Sequence, residues 1–148
     1  MQRRLNIAQL SPELYQAVVH LDGLVKKSGL SSRILHLIKL RASQINGCAF
    51  CVDLHVKEAI ADGLEQQMLH LVSVWRESPF FNERDRAALE WTETVTLLAE
   101  TAAPDDVFDA VSSVFTDAEI ATLTIAIGTI NIWNRIAVSS RLTHSLTT

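Results

Sequence analysis

The stretch Gln44–Ala59, QINGCAFCVDLHVKEA, holds both cysteines of the chain, Cys48 and Cys51, and a histidine, His55, after them. Asn46-Gly47 breaks the apolar run before it, so a new helix is expected to start around Cys48 and to end at Gly63. In such a helix Cys48, Cys51 and His55 fall on one stripe, with Cys51 and His55 one turn apart. Two thiols at that spacing in a first turn come close enough to bond after modest backbone adjustment. The free N–H groups and macrodipole of a helix start favour a thiolate. A histidine one turn away takes the thiol proton, or stabilises the thiolate as imidazolium. One short segment thus carries a nucleophile, a second thiol and a base.

Other uses of the pair are weaker. A structural zinc site needs about four protein ligands, and His20, His36, His70 and His144 are scattered singly, so no metal is expected. Buried inert cysteines are common, but they give no reason for a histidine one turn away. A permanent staple suits an oxidising compartment, whereas this chain reads as cytoplasmic. After Arg3 and Arg4 it lacks the continuous apolar run of a signal peptide. Its longest apolar stretch, IATLTIAIGTINIW from Ile120, is too short for a membrane span. The redox pair leads.

Working outward, helices are expected throughout and no strands. Ser11-Pro12 opens a first helix toward Lys27, stopped near Gly29. Ser31 and Ser32 cap a second, which ends at Asn46-Gly47. After the cysteine helix, residues 64–76 repeat apolar positions three or four apart. Asn82, with Asp85 three residues on, opens a long helix to about Glu100. Pro104 begins a shorter one ending near Val114. Thr116 and Glu119 make a capping box for a last helix to about Ser140. That helix is apolar on nearly every side, so it either runs through the middle of the fold or meets another subunit. The expectation is an all-α single domain, residues 1–148, of about seven helices, oligomeric.

Composition agrees. The 148 residues are 48% hydrophobic and 20% charged, enough for a core without staples. A net charge of -4 gives no positive field for nucleic acid. No Gly-rich phosphate loop or serine-hydrolase signature is present.

LRASQINGCAFCVDLHVKEA (Leu40–Ala59) closely resembles the core of the alkylhydroperoxidase D (AhpD)-like proteins of the carboxymuconolactone decarboxylase superfamily. WRESPFFNERDRAALEWTETVT (Trp75–Thr96) and INIWNRIAV (Ile130–Val138) resemble the family's second and third segments. The resemblance implies an all-α AhpD-like fold in trimers or hexamers, and peroxide reduction by a thiol pair. Cys51 would attack the hydroperoxide, Cys48 would resolve the sulfenic acid, and His55 would belong to the proton relay. It implies no bound cofactor. A dithiol donor protein, lipoylated in the best-characterised relatives, would restore the pair.

Two departures from the family's pattern matter. His36 stands where the relay usually begins with glutamate, and Phe50 where a histidine can precede the second cysteine. His36 keeps a titratable group but removes a fixed negative charge from beside His55. Glu93 is a candidate replacement carboxylate, if its helix packs on the cysteine helix. Asp53 and Glu58 default to a solvated face, Lys57 to a surface charge, and Trp75, Trp91 and Trp133 to packing. Asn131, Asn134 and Arg135 read as structural hydrogen-bonding groups. Two rival functions stay open: thiol–disulfide exchange or redox sensing without strong peroxidase activity, and a lactone decarboxylase-like activity that needs no cysteine pair.

Overall fold

The computed structural model describes residues 2–144. Within them the chain forms nine α-helices and one 3-10 segment, and no strand. In order these are α1 (Ile7–Leu10), α2 (Pro12–Lys26), α3 (Ser32–Ile45), α4 (Ala49–Ala61), α5 (Gln66–Leu71) and the 3-10 segment (Val72–Glu77). Then follow α6 (Glu83–Thr96), α7 (Leu98–Thr101), α8 (Asp105–Ser112) and α9 (Asp117–Ser140). Among the described residues no single helix is long and apolar enough to cross a membrane.

The excess over the expected seven has local causes. Residues 64–76 do not form one helix: α5 ends at Leu71, the chain tightens to 3-10 from Val72, and Val74 (φ -123°, ψ 30°) leaves helical geometry within that segment. The helix opened by Asn82 stops at Leu97 (φ -99°, ψ 34°), and α7 restarts as a single turn. Short α1 has no side-chain cap and no buried residue, which explains why no periodicity announces it. Where caps were legible they hold. Asn82 with Asp85 and Thr116 with Glu119 both form complete capping boxes.

The central element is α3. Nine of its 14 residues are buried, more than one amphipathic face can supply. Ile34, Leu35 and Ile38 pack into an apolar cluster with α6, α8 and α9. Leu37 and Leu40, turned the other way, join a second cluster with α4, α5 and the 3-10 segment. Leu37, Ile38 and Leu40 have no exposed surface, so truncating one to alanine costs about 2–5 kcal/mol. Arg33 fixes the start of α3 by donating to both carboxylate oxygens of buried Asp85 in α6, at 2.8–3.1 Å. The apolar last helix has a different place from α3. It lies against α2, α3 and α6, and Ile125, Ile132 and Val138 point outward, 53%, 39% and 48% exposed.

Candidate redox site

The site begins at the corner between α3 and α4. Asn46 ends α3, Gly47 takes a left-handed φ of 64°, and Cys48 is extended (φ -88°, ψ 90°). Glycine fits there because only it enters that region without steric cost. The corner is tied to α9. Asn46 Nδ2 donates to Asn131 Oδ1 (3.0 Å) and Asn134 Oδ1 (2.9 Å). Asn134 Nδ2 donates to Ser43 Oγ (3.0 Å), whose hydroxyl donates to the Lys39 carbonyl (2.7 Å). Asn134 and Ser43 are fully buried, and at that depth each polar group needs such a partner. Asn131 and Asn134 thus hold the turn that carries the cysteines.

Cys48 is the N-cap of α4 and not its first helical residue. Its sulfur accepts the Cys51 N–H at 3.3 Å, as an N-cap side chain accepts from the third helical residue. Cys48 and Cys51 are disulfide-bonded, with Cα atoms 5.3 Å apart. Both are buried, 1% and 3% exposed, in a small cluster with Ala137, Phe50 and Leu142. The first turn of α4 thus brings the two sulfurs into bonding contact.

His55, one turn beyond Cys51, is 7% exposed. Its Nδ1–H donates to Glu58 Oε2 at 2.9 Å. A carboxylate only accepts, so Nδ1 carries a proton, and in the neutral ring Nε2 is the nitrogen left to accept one. The hydrogen bond from His55 holds the Glu58 carboxyl below its usual range, against the opposing effect of burial. The charge of His55 when it is protonated, and those of Lys26 and Lys39, act in the same direction. Glu58 was expected on a solvated face; its spacing of three from His55 brings the two side chains together.

The other candidates lie elsewhere. Glu93 accepts from Arg41 Nε (2.8 Å), Trp75 Nε1 (2.9 Å) and Arg76 Nη1 (2.7 Å). It ties α6 to α3 and the 3-10 segment, so the carboxylate on His55 is that of Glu58 and not of Glu93. His36, buried on α3, donates from Nε2 to Asp62 Oδ2 at 2.7 Å, and its Nδ1 has no hydrogen-bond partner. Lys57 pairs with Asp53 on the surface (2.8 Å). Among the described residues, no three His, Cys, Asp or Glu side chains cluster to hold a metal ion.

Cys51 and His55 open onto a cavity of about 360 Å³. One side is apolar, formed by Val19, Leu54, Ile136 and the edge-on pair of Tyr15 and Trp133, whose rings are 5.2 Å apart. The lining also carries charge, with Glu58, Lys26, Lys39 and Asp22. Lys39 is 4% exposed and donates to Asp22 at 2.9 Å. Trp133 is therefore a cavity wall as well as a packing residue. Tyr15, Trp133 and Lys39 come from three separate helices, and no sequence spacing could have joined them.

Known proteins resemble the chain in sequence and in fold. Residues 12–94 match the Carboxymuconolactone decarboxylase family. The uncharacterized protein YdfG of Bacillus subtilis is 32% identical over 139 residues, 94% of this chain and 95% of that one. A crystal structure from Agrobacterium tumefaciens, of a protein of unknown function put forward as an AhpD antioxidant-defence protein, is 55% identical. It superposes with a TM-score of 0.96 over 99% of this chain and 100% of that chain. The debrominase Bmp8 shares the fold at 17% identity, with a TM-score of 0.84 over 93% of this chain and 74% of its own. On these grounds the chain belongs to the carboxymuconolactone decarboxylase family and is AhpD-like.

Proposed function

We propose that this protein is a thiol-dependent peroxidase that reduces organic hydroperoxides through Cys48 and Cys51. The observation that carries the reading is the shared cavity: Cys51 and His55 line one pocket, with the Cys48 sulfur in bonding contact behind. In the reduced protein, His55 Nε2 takes the Cys51 proton. The thiolate attacks the O–O bond, giving a Cys51 sulfenic acid, and the departing alkoxide takes a proton to leave as alcohol. Cys48 then attacks the sulfenic sulfur, water leaves, and the disulfide forms. A dithiol, carried by a donor protein in a reducing cytoplasm, returns two electrons by exchange.

Self-association into a trimer or hexamer belongs to the same proposal. Its support is the exposed pair Ile125 and Ile132 on one stripe of α9, together with Leu10 and Leu14, 70% and 72% exposed.

The test is Cys51→Ser, assayed for cumene hydroperoxide consumption with excess dithiol. Turnover should vanish; turnover at the wild-type rate would overturn the assignment. A second reading, redox exchange or sensing without peroxide turnover, is favoured by His36. It stands where the relay glutamate is expected and engages Asp62, not His55. On that reading the disulfide forms with peroxide but does not cycle. Lactone decarboxylation, the activity in the family's name, would survive in a variant lacking both cysteines.

A further inference from the structure

The disulfide has a different cavity at each sulfur. Cys51 borders the pocket it shares with His55, and Cys48 does not. Cys48 borders a second pocket, of about 410 Å³, that does not include Cys51. Phe50, Ala137 and Leu142 line both. The two differ in charge. The Cys51 pocket has two carboxylates and two ammonium groups, Asp22, Glu58, Lys26 and Lys39. Among the described residues, the lining of the Cys48 pocket includes Arg141 and His144 and no carboxylate side chain. Arg141 ends α9 in a left-handed conformation (φ 55°).

We infer that the two pockets divide the redox cycle: the oxidant meets Cys51 in one, and an anionic thiol reductant attacks Cys48 from the other. The inference rests on the redox reading above and adds where the reductant enters and what charge it carries. In thiol–disulfide exchange the attacking thiolate, the attacked sulfur and the leaving sulfur fall nearly in line. An attack on Cys48 therefore comes from the side away from Cys51, and the pocket that touches Cys48 alone offers that approach.

The leaving group fits the same direction. A reductant thiolate bonds to Cys48 Sγ, the Cys48–Cys51 bond breaks, and Cys51 departs as thiolate. It departs into the first turn of α4 with His55 one turn away, a setting that stabilises a thiolate and speeds its departure. The reductant's second thiol, deprotonated, then attacks the reductant sulfur in the mixed disulfide. Cys48 is released as thiolate and the reductant leaves as its own disulfide. Two electrons pass to the protein, and the two protons lost by the reductant go to the released cysteines or to solvent. Glycine at position 47, with nothing within 4 Å of where a Cβ would stand, leaves room beside Cys48 for the reductant's chain.

The experiment starts from protein oxidised with diamide, so it needs no peroxide activity and reads separately from the peroxidase proposal. The first readout is the mixed disulfide formed with mercaptosuccinate, acid-quenched and located by tandem mass spectrometry. It should lie on Cys48; an adduct on Cys51 overturns the inference. The second is the rate of reduction by dianionic dimercaptosuccinate relative to neutral dithiothreitol. Arg141→Asn removes the charge while tolerating the left-handed backbone, and Arg141→Glu reverses it. The anionic-to-neutral rate ratio should fall at least about three-fold in Arg141→Asn and further in Arg141→Glu at low salt. A ratio unchanged in both variants overturns the inference, even if the adduct is on Cys48.

Discussion

Replacing Glu58 by glutamine keeps the shape of the side chain and removes its charge. In the protein, Glu58 accepts the Nδ1–H of His55 at 2.9 Å. That bond matters most when His55 has taken the Cys51 proton and carries a positive charge. A hydrogen bond between charged groups contributes about 1.5–3 kcal/mol when well enclosed. Glu58, however, is 37% exposed at its side chain, and solvent screening reduces that contribution to roughly 0.5–1 kcal/mol. Removing it shifts the balance from thiolate and imidazolium back toward thiol and imidazole by the same amount. The reactive thiolate then falls about two- to five-fold near neutral pH, since about 1.4 kcal/mol is a factor of ten. The assay is the rate of thiol loss from reduced protein with cumene hydroperoxide, across pH, read by alkylation and mass spectrometry. Glu58→Gln should react two- to five-fold more slowly near neutrality and converge with wild type where the thiols ionise unaided, about pH 8.5 and above. Equal rates at all pH values would refute the assignment of Glu58 to the relay. So would an equal slowing in Glu93→Gln, whose carboxylate serves Arg41, Trp75 and Arg76.

Other perturbations separate the scaffold from the chemistry. Burial raises the Glu93 carboxyl, but the hydrogen bonds from Trp75, Arg76 and Arg41 outweigh it and leave it lowered. Its stabilisation is therefore present above the unfolded carboxylate range and lost as pH falls through the lowered folded value. In urea unfolding, Glu93→Gln should lose stability near neutral pH, and the gap to wild type should close below about pH 4; a constant gap would refute the charge argument. Asn134→Ala strips partners from Ser43 and Asn46 at a buried corner, a loss of about 1–3 kcal/mol readable by the same unfolding. An unchanged midpoint would mean that the corner does not depend on Asn134. The wild-type particle should weigh a multiple of 16.4 kDa in light scattering, and Ile132→Lys should reduce it toward one chain; a wild-type monomer would remove the proposed assembly.

Much of the fold was legible because its helix starts are written in local chemistry. Asn82 with Asp85, Thr116 with Glu119 and Pro12 after Ser11 each mark an end that the structure keeps. The breaks at Val74 and Leu97 were not legible. They are backbone departures inside runs whose side chains suit a helix well. The site divides the same way. Cys48, Cys51 and His55 could be grouped from spacing alone, and the same spacing extends to Glu58, three residues beyond His55 on α4. The apolar side of the Cys51 pocket could not be grouped, because Tyr15 and Trp133 meet only after α2 packs on α9. His36 and Glu93 illustrate the opposite limit: each is a titratable side chain in a suggestive position, and each is engaged by a neighbour outside the thiol site.

The source of the His55 carboxylate has a mechanical consequence. Cys51, His55 and Glu58 all stand on α4, and Cys48 caps it. Bending, sliding or breathing of α3 against α4 leaves the separations within this set almost unchanged, because they are fixed by the rise and pitch of one helix. On the proposed mechanism, the groups that would move the proton are thereby insulated from strain elsewhere in the bundle. The pocket walls contributed by α2 and α9, Tyr15 and Trp133 among them, stand outside that helix, so a substitution there reshapes the cavity without altering the spacing of Cys51, His55 and Glu58.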